Sequence, residues 1–305
     1  MVDSELSRRS LYIRVPGGFG DNLMASAVIA RIHVEYPDMR IFVCTKRREI
    51  FRNNPHVAAI YNTRTLLKHN MSIYNRCCTF EYATYDRIRE EKSQKHLIDY
   101  FYDCLPFDIR TRNYTPEIFL TSRERCYKAS RLQGISRPLI AISPYAGATT
   151  RIQNKIYPPE KWPAVVEGLK KHGFAVVQFG RRKEGPVLKG AFDFRNIGYR
   201  KSAAVLLHCD ALITHVSGFM HLAAAVSVPC LTLYGGVEDP RISGYPQNPD
   251  LTVSLDCVPC WLAQPCDDPR CRELLSPERI VDSAVRFVES SVIKKLPQGN
   301  HNNFL

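Results

Sequence analysis

Apolar positions in this chain come in short runs separated by turn residues, and the two periods of regular structure alternate along it. Leu11–Val15 is a five-residue apolar-rich run that predicts a strand. From Leu23, apolar residues at Leu23, Ala27, Ala30 and Val34 step by 4, 3 and 4, which predicts a helix with one apolar face ending before Pro37. Ile41–Thr45 predicts the next strand, Asn53-Asn54-Pro55 a turn and Val57–Tyr61 a further strand. Residues 62–120 show no clean period, and a helix is expected near 84–104.

Arg131–Pro138 reads as a linker, and beyond it the alternation is regular. Strands are expected at Leu139–Ser143, Phe174–Phe179, Ala211–Val216 and Cys230–Tyr234. Helices are expected at Pro159–His172, stopped by Gly173, then at Ser202–Cys209 and Gly218–Ser227. A last helix opens at Ser276-Pro277-Glu278 and runs to about Val292. Strands alternating with helices imply right-handed crossovers and parallel sheets. The fold class is therefore α/β. Two Rossmann-like domains are expected over 1–135 and 136–292, with a tail over 293–305 that is disordered from Pro297 to Leu305. Ligands of such sheets bind at the carboxyl ends of strands.

Those strand ends carry three notable segments. Pro16-Gly17-Gly18-Phe19-Gly20-Asp21-Asn22 joins the first strand to the first helix. It lacks the spacing of a dinucleotide fingerprint and the lysine of a P-loop. A glycine-rich turn that delivers a carboxylate to a helix N-terminus remains, and Asp21 could serve there simply as a favourable cap. The second segment runs from Ser143 to Pro158 and offers small residues, the hydroxyls of Thr149 and Thr150, and the cations Arg151 and Lys155. That chemistry suits a diphosphate, and equally a polar surface loop. The third, Thr214 to Ala225, places Ser217 and Gly218 at a helix start where N–H groups bind an anion. Met220 and His221 lie within that helix, His221 one turn inside, where a structural role is the alternative.

Composition narrows the partners. The 305 residues are 45% hydrophobic and 24% charged, ordinary for a globular protein. No apolar run approaches the ~18–20 residues of a membrane span, and the first ten residues lack the core of a signal peptide. The expected location is the cytoplasm. A formal charge of +12 favours anionic partners: nucleic acid, an anionic membrane surface or a phosphorylated substrate. Of 11 cysteines, Cys257, Cys260, Cys266 and Cys271 cluster, opening as C-x-x-C. They can close a four-sulfur zinc or iron site, or stand as free thiols or labile disulfides.

The G-D-N-L-M-A-S-A, A-T-T-R-I-Q-N-K-I-Y-P, S-G-F-M-H-L-A-A-A-V-S-V-P and L-Y-G-G segments, in this order, resemble glycosyltransferase family 9, the heptosyltransferase-like proteins of the GT-B fold. The resemblance implies two Rossmann-like domains facing each other across a cleft. The first would bind the acceptor and the second a nucleotide-diphosphate sugar. It makes Asp21 the general base that takes a proton from an acceptor hydroxyl as that oxygen attacks the anomeric carbon, inverting configuration. Lys155, Thr149, Thr150 and the N–H groups near Ser217 and Gly218 would meet the leaving-group charge. Gly20, Gly180, Gly198, Met220 and His221 would line the donor site. No catalytic divalent metal is implied. Heptose from ADP-heptose is the family default, and the acceptor would be a lipopolysaccharide, another polysaccharide or a protein. Peripheral contact with the inner membrane is compatible with this reading, and no nucleic acid is expected.

Two departures bear on the donor. Val216 stands where many heptosyltransferases carry an aspartate two residues before the glycine, and Ile156-Tyr157-Pro158 lacks the tryptophan often found before that proline. The cysteine segment locally resembles the iron finger of autotransporter heptosyltransferases, and Gly244–Trp261 resembles relatives that act on polysaccharides. The competing readings are a non-catalytic nucleotide-sugar or nucleic-acid binder, and a nucleotide-sugar hydrolase or epimerase on the same fold.

Overall fold

The computed structural model describes residues 10–62, 78–127, 129–145 and 152–295. Among these, two parallel sheets form. The first has the order β3-β2-β1-β4, from Ser10–Val15 (β1), Arg40–Thr45 (β2), Ala59–Tyr61 (β3) and Cys78–Thr79 (β4). The second has the order β10-β9-β8-β5-β6-β7. Its strands are Leu139–Ser143 (β5), Ala175–Gln178 (β6), Ala191–Asp193 (β7), Ala211–His215 (β8), Cys230–Gly235 (β9) and Asp250–Thr252 (β10). The short β4, β7 and β10 carry too few apolar residues to announce themselves in sequence.

Strand order explains why the notable segments matter. In the first sheet the chain runs from β1 outward to β2 and β3, with β4 added on the other side of β1. In the second it runs from β5 to β6 and β7, then returns to place β8 on the opposite side of β5. The crevices at such reversals are where α/β sheets bind ligands. The glycine turn leaves β1, the Ser143–Pro158 segment leaves β5, and Ser217-Gly218 follows β8. All three segments therefore start at reversal points.

The first helix, Phe19–Glu35, departs from expectation. It begins four residues earlier, and it is buried on most sides rather than on one face. Val34, expected on the apolar stripe, is 65% exposed, whereas Asn22, Ser26 and Ala25 are fully buried. The cause is tertiary: the helix lies between its own sheet and the helix Gly218–Ala225. One buried cluster consequently runs from Leu11, Ile13 and Leu23 through Phe19 to Phe219, Phe179 and Leu212, joining the two sheets. A second core lies on the far face of the six-stranded sheet under Trp162–Lys171 and Pro277–Lys295.

The helix expected near 84–104 is two short helices, Tyr85–Glu90 and Asp99–Tyr102. The break is local. Lys92 takes a left-handed φ of 47°, and the Ser93 N–H bonds the Ile88 carbonyl. Pro159–His172 divides into a 3-10 turn at Pro159–Lys161 and a helix from Trp162 to Lys171. It ends as foreseen, with Gly173 at φ 81° and the Phe174 N–H on the Leu169 carbonyl. The helix expected at Ser202–Cys209 starts earlier and covers Tyr199–Leu206, because Gly198 at φ 76° turns the chain into it. The last helix continues past Val292 to Lys295. Thr149, Thr150 and the tail beyond 295 lie outside the described residues.

Arg200 ties the halves together. Its buried guanidinium donates to both Glu124 oxygens, at 2.7 and 2.6 Å, and to the carbonyls of Glu49, Arg52 and Phe119. The ion pair and the Thr121 N–H hold the Glu124 carboxyl down at about 2, from an ordinary 4.5. A depressed carboxyl stabilises the fold above its unfolded value, and that contribution is lost as pH falls through the folded one. Arg200→Ala should cost about 2–4 kcal/mol by chemical denaturation at neutral pH. The gap to wild type should narrow between pH 4.5 and about 2. A deficit independent of pH would remove the Glu124 pair as its source.

Candidate active site

Backbone geometry at the glycine turn sets the site. Asn22 is buried and donates to the carbonyls of Gly17 and Gly18 at 3.2 and 2.7 Å. Its own oxygen accepts from the Thr45 hydroxyl at 2.6 Å. Thr45 in turn accepts the N–H of Arg47 at 2.9 Å. The ends of β1 and β2 are thus locked together. The turn presents Asp21, whose Oδ2 accepts the Gly18 N–H at 2.6 Å. The glycines are required here by space. A Cβ on Gly17 would lie 2.4 Å from the Asp21 carboxylate, and one on Gly20 would lie 2.9 Å from the His221 ring.

Opposite stands the start of the helix Gly218–Ala225. Ser217 caps it, its hydroxyl accepting the Phe219 N–H at 3.3 Å and lying 3.2 Å from the Thr214 hydroxyl. A Cβ on Gly218 would lie 2.7 Å from Phe19. The two helix N-termini therefore meet at glycine-to-glycine range across the domain boundary. Aligned peptide dipoles make each end favourable for negative charge.

Beside this meeting point lies a cleft of about 510 Å³. Gly18, Phe19, Gly20 and Arg47 line it from the first half. Lys155, Gly180, Arg181, Gly198, Ser217 and Gly218 line it from the second. Phe19 and Tyr199 stack across it with ring planes 10° apart. Arg181 reaches the Tyr199 hydroxyl at 3.4 Å, and its backbone N–H donates to Glu184 at 3.0 Å. Gly180 holds φ 126°, a conformation that L side chains rarely adopt.

Asp21 follows directly on the lining residues Gly18–Gly20. Protein crowds it on most sides, though part of its surface still reaches water. Burial pushes its carboxyl above the ordinary carboxylate range, and the Gly18 N–H and the nearby Lys155 ammonium pull it back. Met220 and His221 lie behind the lining rather than in it. The His221 Nδ1 is 2.6 Å from the Tyr245 hydroxyl, and burial drops the imidazole to about 3. His221 is therefore neutral near pH 7 and supplies no charge to the cleft. Val216 is buried, so it brings no polar group there.

Of the residues singled out from sequence, Asp21, Gly20, Lys155, Gly180, Gly198, Ser217 and Gly218 come together around this cleft. Tyr199 ends the Asn196–Tyr199 loop that the family resemblance places at the nucleotide, whereas Arg47 and the stacking of Phe19 on Tyr199 were not foreseen. Arg47 sits in a basic triplet at the end of β2, a position that could have flagged it. The Phe19–Tyr199 stack joins residues 180 apart in the chain and leaves no local signal.

Cys257, Cys260, Cys266 and Cys271 are free thiols. Cys260 and Cys271 are pushed up by burial first and by the neighbouring cysteines second. The four are thus neighbours. Among the described residues, however, no three His, Cys, Asp or Glu side chains stand so as to hold a metal ion. This arrangement gives the metal expectation no support, and no chemistry is assigned to a metal here.

Paired doubly wound sheets with a cleft between them define the GT-B class, and solved structures agree. The family 9 glycosyl transferase of Veillonella parvula superposes with a TM-score of 0.68 at 15% identity, over 92% of this chain and 97% of that one. The iron-containing dodecameric heptosyltransferase TibC of enterotoxigenic E. coli, solved with ADP-D-β-D-heptose, superposes with a TM-score of 0.70 at 16% identity. That match covers 95% of this chain and 79% of TibC.

Residues 82–265, more than half of the chain, match the model of glycosyltransferase family 9 (heptosyltransferase), and the chain belongs to that family. It is 26% identical over 159 residues to lipopolysaccharide heptosyltransferase 2 of E. coli K12, covering 46% of this chain and 40% of the relative. It spans about two fifths or less of the length of the curated relatives that it matches. No described helix is long and apolar enough to cross a membrane.

Because Lys155 lowers the Asp21 carboxyl, Lys155→Met should raise it further. Carbon-detected NMR titration of the Asp side chains, with Asp21→Asn for assignment, reads this directly. Asp21 should titrate above the ordinary aspartate range in wild type and higher still in Lys155→Met. An unmoved or lowered value would separate the two groups.

Proposed function

We propose that the protein is an inverting glycosyltransferase that moves a sugar from a nucleotide-diphosphate sugar to an acceptor hydroxyl. Heptose from ADP-heptose is the default that family membership suggests. The observation that carries the reading is the pairing of Asp21 and Lys155 from opposite sheets at one cleft. A protein that only held a nucleotide would need the cation and the helix N-terminus, but not a half-buried carboxylate facing them.

Each group has a role in the reaction. The carboxylate of Asp21 accepts the proton of the acceptor hydroxyl as that oxygen bonds to the anomeric carbon. The bond from that carbon to the diphosphate breaks on the opposite face, and the nucleoside diphosphate leaves with the electron pair. Lys155 and the N-terminus of Gly218–Ala225 stabilise the charge that develops there, a role that fixed donors fill without reorganising. Arg47 and Arg181 add to the positive potential of the cleft. The base-range carboxyl of Asp21 suits its task, since a group pushed upward by burial accepts a proton more readily than an ordinary aspartate.

The acceptor is proposed to be a lipopolysaccharide or another glycan, or a protein, met at the first half of the cleft. The curated relatives are named as lipopolysaccharide and lipooligosaccharide heptosyltransferases, which favours the first. The buried Val216 leaves the donor sugar without a carboxylate at that position, so recognition falls to Arg181 and the Gly198–Tyr199 corner. The +12 charge suits an anionic acceptor or the face of an anionic membrane.

Asp21→Ala should abolish transfer, by about 10³-fold or more, while nucleoside diphosphate affinity stays within severalfold. Product analysis with ADP-heptose and lipopolysaccharide core acceptors, together with direct titration of ADP, separates the two effects. Full transfer by the variant would take Asp21 out of the mechanism. In wild type, initial rates should rise with pH until Asp21 is ionised, with an acid limb above the ordinary aspartate range.

A further inference from the structure

The residue before Lys155 carries an unusual load. Asn154 is buried in the 3-10 turn Gln153–Lys155. Its amide nitrogen donates to the carbonyls of Leu262 and Gln264, at 3.0 and 2.5 Å. Its oxygen accepts the N–H of Cys266 at 3.1 Å. One side chain thus makes three hydrogen bonds to a single loop more than a hundred residues away, and that loop is the cysteine segment.

The segment is itself anchored. The N–H groups of Cys260 and Trp261 donate to the carbonyls of Gly236 and Val237, just past β9, at 3.0 and 2.9 Å. Gly236 has no room for a Cβ, which would meet Val258 and Cys271 at 2.6 and 2.8 Å. Trp261 is buried with Tyr85, Tyr100 and Ile242, and Ile152 packs on the same cluster. The cysteine segment therefore grips the Lys155 turn twice, at Ile152 by packing and at Asn154 by hydrogen bonds.

We infer that Asn154 is a positioning residue for Lys155, and that the cysteine segment is the brace through which it acts. The inference rests on the proposed role of Lys155 at the diphosphate. A lysine ammonium is a point charge on a flexible stem, so the placement of its backbone decides where the charge can reach. The amide of Asn154 supplies rigidity by satisfying three backbone groups that would otherwise have to find water.

The test is a double-mutant cycle on ADP affinity, measured by titration calorimetry on wild type, Asn154→Ala, Lys155→Ala and the double variant. Asn154→Ala should weaken ADP binding about tenfold in the wild-type background and less than twofold in the Lys155→Ala background. A residue that only stabilised the fold would weaken both alike, and that outcome, or no weakening at all, overturns the inference. Hydrogen exchange of the ligand-free protein provides a second reading. Asn154→Ala should raise exchange at 152–156 and 262–266 together, and unchanged exchange in either segment overturns the brace. If wild type binds none of ADP, GDP and UDP, the proposed function fails, and the exchange result alone then decides whether Asn154 couples the two segments. Should Asn154→Ala not fold, Asn154→Ser is read by the same criteria.

Discussion

The structure depends on one close approach. Two helices, Phe19–Glu35 from one sheet and Gly218–Ala225 from the other, meet end to end at Gly20 and Gly218. A Cβ on Gly20 would press on His221, and one on Gly218 would press on Phe19. Two positions without side chains thus let two positive helix ends face one cleft. Overpacking either one costs about 1–3 kcal/mol, and here the cost would fall on the spacing of the halves. The Phe19–Tyr199 stack and the shared apolar cluster through Phe179 and Phe219 assume that spacing, and Arg200 reinforces it from the side.

Electrostatics follow from the same contact. Asp21 is crowded by its own turn and pushed upward, while Lys155 arrives from the other sheet and restrains it. His221, close by, is held neutral by burial, so the positive charge in the cleft belongs to Lys155, Arg47 and Arg181. The division is chemically useful. The Asp21 carboxyl and Arg47 come from the first half, and Lys155 and Arg181 come from the second. The cysteine segment enters the arrangement through Asn154, at one remove from the reacting atoms.

Much of this was legible in the sequence. Strands of these parallel sheets read as apolar-rich runs, so β1, β2, β5, β6, β8 and β9 stood out, and the glycine-rich segments at their ends pointed to the cleft. What failed to show was tertiary. Asn22 and Ser26 look like interruptions of a helix stripe, yet both are buried and bonded within the first half, Asn22 to the glycine turn and Thr45, Ser26 to the Glu117 N–H. The bonds made by Arg200 and Asn154 and the cleft position of Arg47 all depend on partners distant in sequence. The cysteine spacing raised a metal site, and what the sequence did not show is that the segment's backbone bonds the Asn154 side chain.

The central claim is that the cleft between the two sheets holds a nucleoside diphosphate against Lys155. Saturation-transfer NMR with ADP and ADP-heptose, repeated on Gly218→Val, tests it most directly. Wild type should show transfer to each ligand, and the ADP-heptose signal should be displaced by excess ADP. Gly218→Val, whose side chain would fill the meeting point of the helices, should show little or none while remaining folded by circular dichroism. Equal transfer in both proteins, or none in wild type with ADP, GDP or UDP, would contradict the account.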